Sequence, residues 1–378
     1  MGTRTDGNVL IIGGGIQGCS AAYFLSKAGV QVTLLEKDTI ARHASGVNAG
    51  GVRRLGRDLA EIPLSLASMD IWNDLPGHIG PDAASAFHRS FYAKVAVDDE
   101  GQRLGHDRIH ALKDAGFQHE IWLDGPELKK KLPQLQGAVL GGIVVEGDGW
   151  AVPWRIVRGF AEAAQKHGAE IVQGCEVSGL SRHSSGVWTV NSTAGRFEAD
   201  WIINCAGAWA AQLARKAGDF DLPQTAHAPM LAITERRPMV LPAVLGVLGH
   251  TLSLKQLDTG QFLIGGGVRA KADLAASRAG LMIPEMSSSI RLACQVLPEI
   301  SAAGILRCWS GIEGYMPDNL PVIGIGKLPG IVHGFGFSAH GFQLGPGVGE
   351  ALADLVLSRQ TRVSLKPFSP LRFIQAQP

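Results

Sequence analysis

The chain has 378 residues, 46% of them hydrophobic and 18% charged, which is enough apolar material for a large buried core divided between two domains. Its 35 basic and 34 acidic residues nearly cancel, so no global field is present to hold a polyanion, and nucleic acid is not an expected partner. Five scattered cysteines (Cys19, Cys175, Cys205, Cys294, Cys308) with no CxxC pair argue against a disulfide framework or a zinc site and for a reducing, cytoplasmic setting.

The opening segment MGTRTDGN has neither the basic start nor the long apolar run of a signal peptide. No stretch of about 18 apolar residues occurs, so a spanning helix is not expected, and any membrane contact would be peripheral, at an inner membrane. Val9–Ile12 is a fully apolar run of the kind that forms a central parallel strand. Gly13-Gly14-Gly15-Ile16-Gln17-Gly18 follows at once, then an alanine-rich helix through Ala28, which Gly29 ends. Residues 30–35 read as the second strand and close on Glu36.

Each glycine has a mechanical reason: Gly13 allows the tight turn, Gly15 lets a pyrophosphate approach the helix N-terminus, and Gly18 lets helix and strand pack closely. Glu36 is placed to accept hydrogen bonds from ribose hydroxyls and would repel a 2′-phosphate, which disfavours NADP. The unit alone does not decide between FAD and NAD.

Further on, Ala44-Ser45-Gly46-Val47-Asn48-Ala49-Gly50-Gly51-Val52-Arg53-Arg54 is too apolar and glycine-rich for a plain surface connector, and a flat ligand is expected against it. Residues 251–256 alternate polar and apolar, Asp258-Thr259-Gly260 turns, and Gln261–Gly265 returns, which predicts a hairpin of an antiparallel sheet. Near the end, Ile331-Val332-His333-Gly334 reads as another buried strand, leading through residues 335–343 into a helix after Pro346. A second helix N-terminus there suits the edge of a flavin that gathers negative charge on reduction.

Five ordered blocks now carry a resemblance over essentially the whole chain. They are Gly13-x-Gly15-x-x-Gly18 with Glu36-Lys37, Ser45-x-x-Asn48-Ala49-Gly50-Gly51-Val52-Arg53, Asn204-Cys205-Ala206-Gly207-Ala208-Trp209, Met316-Pro317-Asp318-Asn319-Leu320-Pro321-Val322-Ile323-Gly324, and Gly336-Phe337-Ser338-Ala339-His340-Gly341-Phe342. The chain resembles the glycine oxidase, sarcosine oxidase and D-amino-acid dehydrogenase group of flavoproteins. Within it, the chain looks most like the β-type subunits of opine oxidases, D-hydroxyproline dehydrogenases and hydrogen cyanide synthase.

The resemblance implies an α/β plus β fold: a Rossmann-like FAD-binding domain of glutathione-reductase type with an inserted antiparallel-sheet substrate domain. The FAD domain is expected from residues 1–85, 145–220 and 305–378, and the substrate domain from 86–144 and 221–304. Besides the residues already named for the cofactor, it implies Ile16, Gln17, Lys37, Ser45, Asn48, Ala49, Gly50, Gly51, Val177, Ala206, Gly207, Trp209, Ala339, His340, Gly341, Phe342 and Gln343 as its neighbours. It further implies non-covalent FAD, oxidation of the C–N bond of a small amine or amino acid, and partner subunits carrying FMN or iron–sulfur centres. A chain that carries FAD but is inactive without such a partner is the alternative.

For chemistry, hydride passes to the flavin and the resulting imine hydrolyses, so no dedicated general base is required. Glycine oxidases hold the substrate carboxylate with an arginine where this chain has Glu313, and monomeric sarcosine oxidases use a lysine where it has Gln343. Both anchors being absent, Arg53 is the favoured carboxylate clamp, with Arg54 and Lys255 as further cations. Ser253 shares a strand face with Lys255, so both are expected in one pocket. Glu313 is expected to face a substrate cation and Gln343 to hydrogen-bond the substrate. The flavin-tethering cysteine of monomeric sarcosine oxidases falls on Gly311, with Cys308 expected as a small buried residue. His340 is read as a backbone-corner residue, and no metal site is expected.

Overall fold

A computed structural model describes residues 7–374. The expectation of no leader peptide rests chiefly on residues 1–6, which lie outside that range. Val9–Ile12 runs parallel between Trp201–Asn204 and Val32–Glu36 at the middle of a six-stranded sheet. Glu170–Gln173 flanks Val32–Glu36, and Ile331–Phe335 followed by the antiparallel Val322–Ile325 extend the other side.

The unbroken apolar sequence of the first strand follows from burial on both faces. Val9 and Ile11 pack on the helical core, whereas Leu10 and Ile12 pack beneath the three-stranded sheet of Val177–Arg182, Trp188–Ser192 and Gly195–Ala199. The helix Ile16–Lys27 ends where Gly29 takes a left-handed φ of 84°, a conformation that a Cβ would disfavour.

The last long helix, Gly341–Val356, starts before Pro346 rather than after it, so the proline lies inside the helix. Interior proline costs about 3 kcal/mol through the lost N–H and its ring, and close packing offsets this. A Cβ on Gly345 would approach Ile16 to 2.4 Å, one on Gly347 would approach Ser68 to 2.8 Å, and one on Gly349 would approach Ser20 to 2.2 Å. These glycines let the helix lie directly on Ile16–Lys27 and on Ile62–Asn73, and Gly345 leaves no side chain to clash with the proline ring.

A twelve-stranded sheet forms the second layer. The predicted hairpin is present as Ser253–Gln256 paired antiparallel with Gln261–Gly265, with Gly260 at a φ of 92° in the turn. Leu254, Phe262 and Ile264 point to the core closed by the helix Ile283–Val296, so alternation sends Ser253 and Lys255 to the opposite, pocket-side face.

Strand pairing moves the expected domain limits. Gly141–Ala151 pairs along its length with Phe87–Ala96, and Ile305–Ser310 and Glu313–Tyr315 both pair with Thr225–Arg236. The limit at 145 thus cuts a strand of the large sheet and the limit at 305 parts Ile305–Ser310 from its pairing partner, because pairing partners are not visible in local periodicity.

Candidate active site

A cavity of about 690 Å³ lies between the six-stranded sheet and the large sheet, within the range of small-molecule sites. One end is the glycine turn. Gly13 has a φ of 112°, and a Cβ there would sit 2.2 Å from Cys205 O; a Cβ on Gly18 would sit 2.0 Å from Gly13 O. A Cβ on Gly15 would meet only Ser45 Oγ within 3 Å, so its backbone is open toward the cavity. Ser45 Oγ accepts the Ile16 N–H, and Gln17 Nε2 donates to Gly341 O, so one side chain joins the starts of both long helices. The Glu36 carboxylate accepts the Gly14 and Asp38 N–H groups at 2.6 and 2.8 Å and faces the cavity, with burial raising its pKa. This cradle, two helix N-termini and a carboxylate fit a dinucleotide: the free N–H groups for the diphosphate and Glu36 for a ribose.

The structure brings most of the expected residues to this cavity: Gly13, Gly15, Gln17, Glu36, Lys37, Ser45, Asn48, Ala49, Gly51, Arg53, Val177, Ala206, Gly207, Trp209, Glu313, Ala339, His340, Gly341 and Phe342. Five others lie off its wall. Ile16 and Gly18 are packing positions beneath the turn. Gly50 turns with φ 69° against Ala151 O. Lys255 does not share the pocket with Ser253: its Nζ donates to Ala49 O and sits 4.6 Å from the Trp150 ring centre, behind the loop. Burial there pulls its pKa down to about 7.

Gln343 is the second correction. Third in its helix, it points at the helix Ile62–Asn73, accepts from Arg57 Nη2 and Ser65 Oγ, and donates to Ser65 O, with no exposed surface. It is a buried fastener and does not reach a substrate. Arg54 is likewise engaged, with Asp148 at 2.8 Å. Cys308 is only partly buried and stays off the cavity wall. A Cβ on Gly311 would lie 2.3 Å from Val47 Cγ2, which leaves no space for a tethering side chain without rearrangement.

Arg53 lines the cavity, and among the described residues no carboxylate lies within ion-pair distance of it or of Lys94. Sequence reasoning missed Lys94. The position a Cβ would take on Gly56 lies 3.2 Å from Lys94 Nζ and 3.7 Å from Arg53 Nη1, so both cations meet at one spot. Burial, with Arg53 adding to it, pulls the Lys94 pKa down to about 8. A signal did exist: Lys94 is the lone charge in the apolar run 91–97, on the same strand face as Tyr92, which also lines the cavity. Arg57 was also missed; it is buried, donates to Arg53 O, His340 O and Gln343 Oε1, and its pKa falls to about 9 through burial.

Glu313 is partly buried on the cavity wall and accepts from the Tyr315 hydroxyl at 3.1 Å. Burial pushes its pKa up to about 7 against the pull of Tyr315, Arg269 and the Ala339 N–H. Between the ordinary carboxyl pKa and 7 the folded protein binds an extra proton, so stability falls as pH rises through that window and stays lowered above it. Glu313→Gln, which removes the charge, is therefore expected to raise Tm at pH 8.5 and to leave it nearly unchanged at pH 4. Equal shifts at both pH values in thermal melts of the FAD-free protein would show that the carboxylate is solvated.

A family profile described as FAD dependent oxidoreductase matches residues 8–355. Hydrogen cyanide synthase subunit HcnC of Pseudomonas aeruginosa is 26% identical over 97% of this chain and 96% of that protein. Sarcosine oxidase subunit beta of an Arthrobacter species is 26% identical over 97% and 91%. Glycine oxidase from Geobacillus kaustophilus superposes with a TM-score of 0.88 at 24% identity, covering 97% of this chain and 98% of its own, and so shares the fold.

Proposed function

Because the chain belongs to the FAD-dependent oxidoreductase family and its relatives include a glycine oxidase and a sarcosine oxidase subunit, we propose that it oxidises the carbon–nitrogen bond of a small amino acid whose carboxylate is seated between Arg53 and Lys94. The convergence of Arg53 and Lys94 on one wall of the cavity, with no carboxylate within ion-pair distance of either among the described residues and Glu120 acting on Lys94 from beyond that distance, carries this reading. Two like charges this close repel, and an incoming carboxylate relieves that repulsion while gaining charge-assisted hydrogen bonds.

When bound, FAD supplies the acceptor for the hydride that leaves the carbon bearing nitrogen. The protein's own groups bind, orient and exclude water. Arg53 and Lys94 fix the acid end, and Tyr92 and Ser253, 3.5 Å apart at their hydroxyls, line the roof. Glu313 repels a second carboxylate from its end of the cavity and accepts an N–H group of the substrate. A clash at Gly311 supports non-covalent FAD.

Simple carboxylates test the acid end. With Lys94 titrating near 8, the Kd of a competing carboxylate such as acetate or benzoate is expected to be flat below that pH and to weaken above it as Lys94 loses its charge. Lys94→Met removes this limb. A wild-type affinity that stays constant to pH 9.5 would place the carboxylate elsewhere.

A second reading, that the chain works inside a hetero-oligomer, is favoured by one feature besides the names of two relatives. Ile305–Ser310 is an edge strand with Ile305 and Leu306 exposed, and such an edge offers unpaired backbone groups to another chain. Among the described residues no helix is long and apolar enough to cross a membrane.

A further inference from the structure

His340 stands between the cavity and a buried acid. Its Nδ1 meets Glu61 Oε2 at 2.9 Å, its side chain is 22% exposed against 0% for Glu61, and its ring lines the cavity. A carboxylate accepts, so Glu61 holds the tautomer with hydrogen on Nδ1 and leaves the lone pair on Nε2. Among the described residues Nε2 has no hydrogen-bond partner, yet it is not buried, and His340 lines the cavity, so Nε2 opens toward it.

Glu61 is itself unusual. It is the N-cap of the helix Ile62–Asn73, its Oε1 is sealed without a partner among the described residues, and Arg57 lies 3.9 Å from its Oε2. A fully buried carboxylate with an orphaned oxygen is costly, and the packing role of the corner does not require it, since His340 O already ties the corner to Arg57.

We propose that His340 Nε2, backed by Glu61, accepts the proton that a substrate ammonium group loses before the carbon–nitrogen bond is oxidised. This rests on the reading of the cavity as an amino-acid site. The ammonium N–H bond breaks and its electron pair stays on nitrogen; the proton forms the Nε2–H bond. The dyad passes from net negative to neutral, a change that a buried site favours. Hydride loss to FAD follows as a separate step. A carboxylate held by Arg53 brings the neighbouring α-nitrogen to His340, since Arg53, Arg57 and Glu61 are the charged groups acting on that ring; Glu313 accepts the N–H of Ala339, the residue before His340. Burial and the two arginines outweigh Glu61 and keep the free ring neutral, ready to accept.

The test uses FAD-loaded protein and the analogue of whichever amino acid bleaches the flavin in which methyl groups replace every α-hydrogen, 2-aminoisobutyrate for glycine or alanine, because it lacks the hydrogen that would leave as hydride. Its Kd is read from the perturbed visible spectrum between pH 6 and 7.5, below the range in which Lys94 loses its charge. In the wild type the proton stays inside the complex, so Kd is flat with pH. In His340→Gln the proton goes to solvent, and Kd falls about tenfold per pH unit. Glu61→Gln, which withdraws the counter-charge, moves the profile in the same direction. Full FAD content in each variant shows that it is folded. Identical pH dependence in the wild type and both variants would overturn the proposal, as would a dependence altered only by Glu313→Gln. If no amino acid bleaches the wild type, the amino-acid reading of the cavity fails first, and the proposal with it.

Discussion

Arg53→Gln is expected to raise KM for the preferred amino acid on the order of 100-fold, with a smaller effect on kcat and with FAD still bound. Truncating one side of a desolvated, hydrogen-bonded charge pair costs roughly 2–5 kcal/mol, and each 1.4 kcal/mol is tenfold. Arg53 is suited to that role because its guanidinium has no acid within ion-pair reach among the described residues and gives only Nη1 to a protein acceptor, Leu55 O, whereas Arg54 is spent on Asp148 and Arg57 on three protein acceptors. Loss of uniform binding appears in KM rather than kcat. Steady-state kinetics on the variant would check this. A KM change of less than about threefold, well under 1 kcal/mol, would move the anchor away from Arg53.

Gly13→Ala is expected to yield protein that folds poorly and holds at least about tenfold less FAD, because strain at a special backbone position exceeds the usual 0.5–3 kcal/mol of a point change. A Cβ would sit 2.2 Å from Cys205 O at a φ of 112°, and both partners are backbone at the ends of adjacent central strands. Neither can yield without separating Val9–Ile12 from Trp201–Asn204. Gly15→Ala is the informative contrast. Its Cβ meets only Ser45 Oγ at 2.9 Å, so the FAD-free protein keeps its Tm while the methyl obstructs the diphosphate. Thermal melts of both FAD-free variants, with flavin absorbance of the loaded ones, separate the two effects. Equal Tm losses would mean that the glycine turn is structural throughout.

The cofactor half of the protein was legible in sequence because its signals are local. An apolar run, spaced glycines and a terminal acid each restrict a few consecutive residues, and the first strand, helix and acidic end lie where those signals put them. The hairpin at 253–265 was legible for the same reason. Side-chain direction was not. Gln343 was expected at the substrate from its place just after the His340-Gly341-Phe342 corner, yet helical geometry turns it toward Arg57 and Ser65. Lys255 shares a strand face with Ser253, but Ala49 O captures its Nζ. Lys94 and Glu61 are brought to the site by strand order and helix packing across tens of residues, which no local pattern encodes. Pro346 misled about the helix start because the compensating contacts come from Ile16 and Ser68, far away in sequence.

Amino-acid oxidation at this cavity is tested by anaerobic mixing of the FAD-loaded protein with D-amino acids, D-hydroxyproline, sarcosine, glycine and opines, read from the flavin absorbance. Bleaching by at least one carboxylate-bearing member, and not by the matching amine without the carboxylate, is the predicted result. Equal bleaching by both would contradict the carboxylate anchor. No bleaching by any member, in protein with full FAD content and with its partner subunits supplied, would contradict amino-acid oxidation itself.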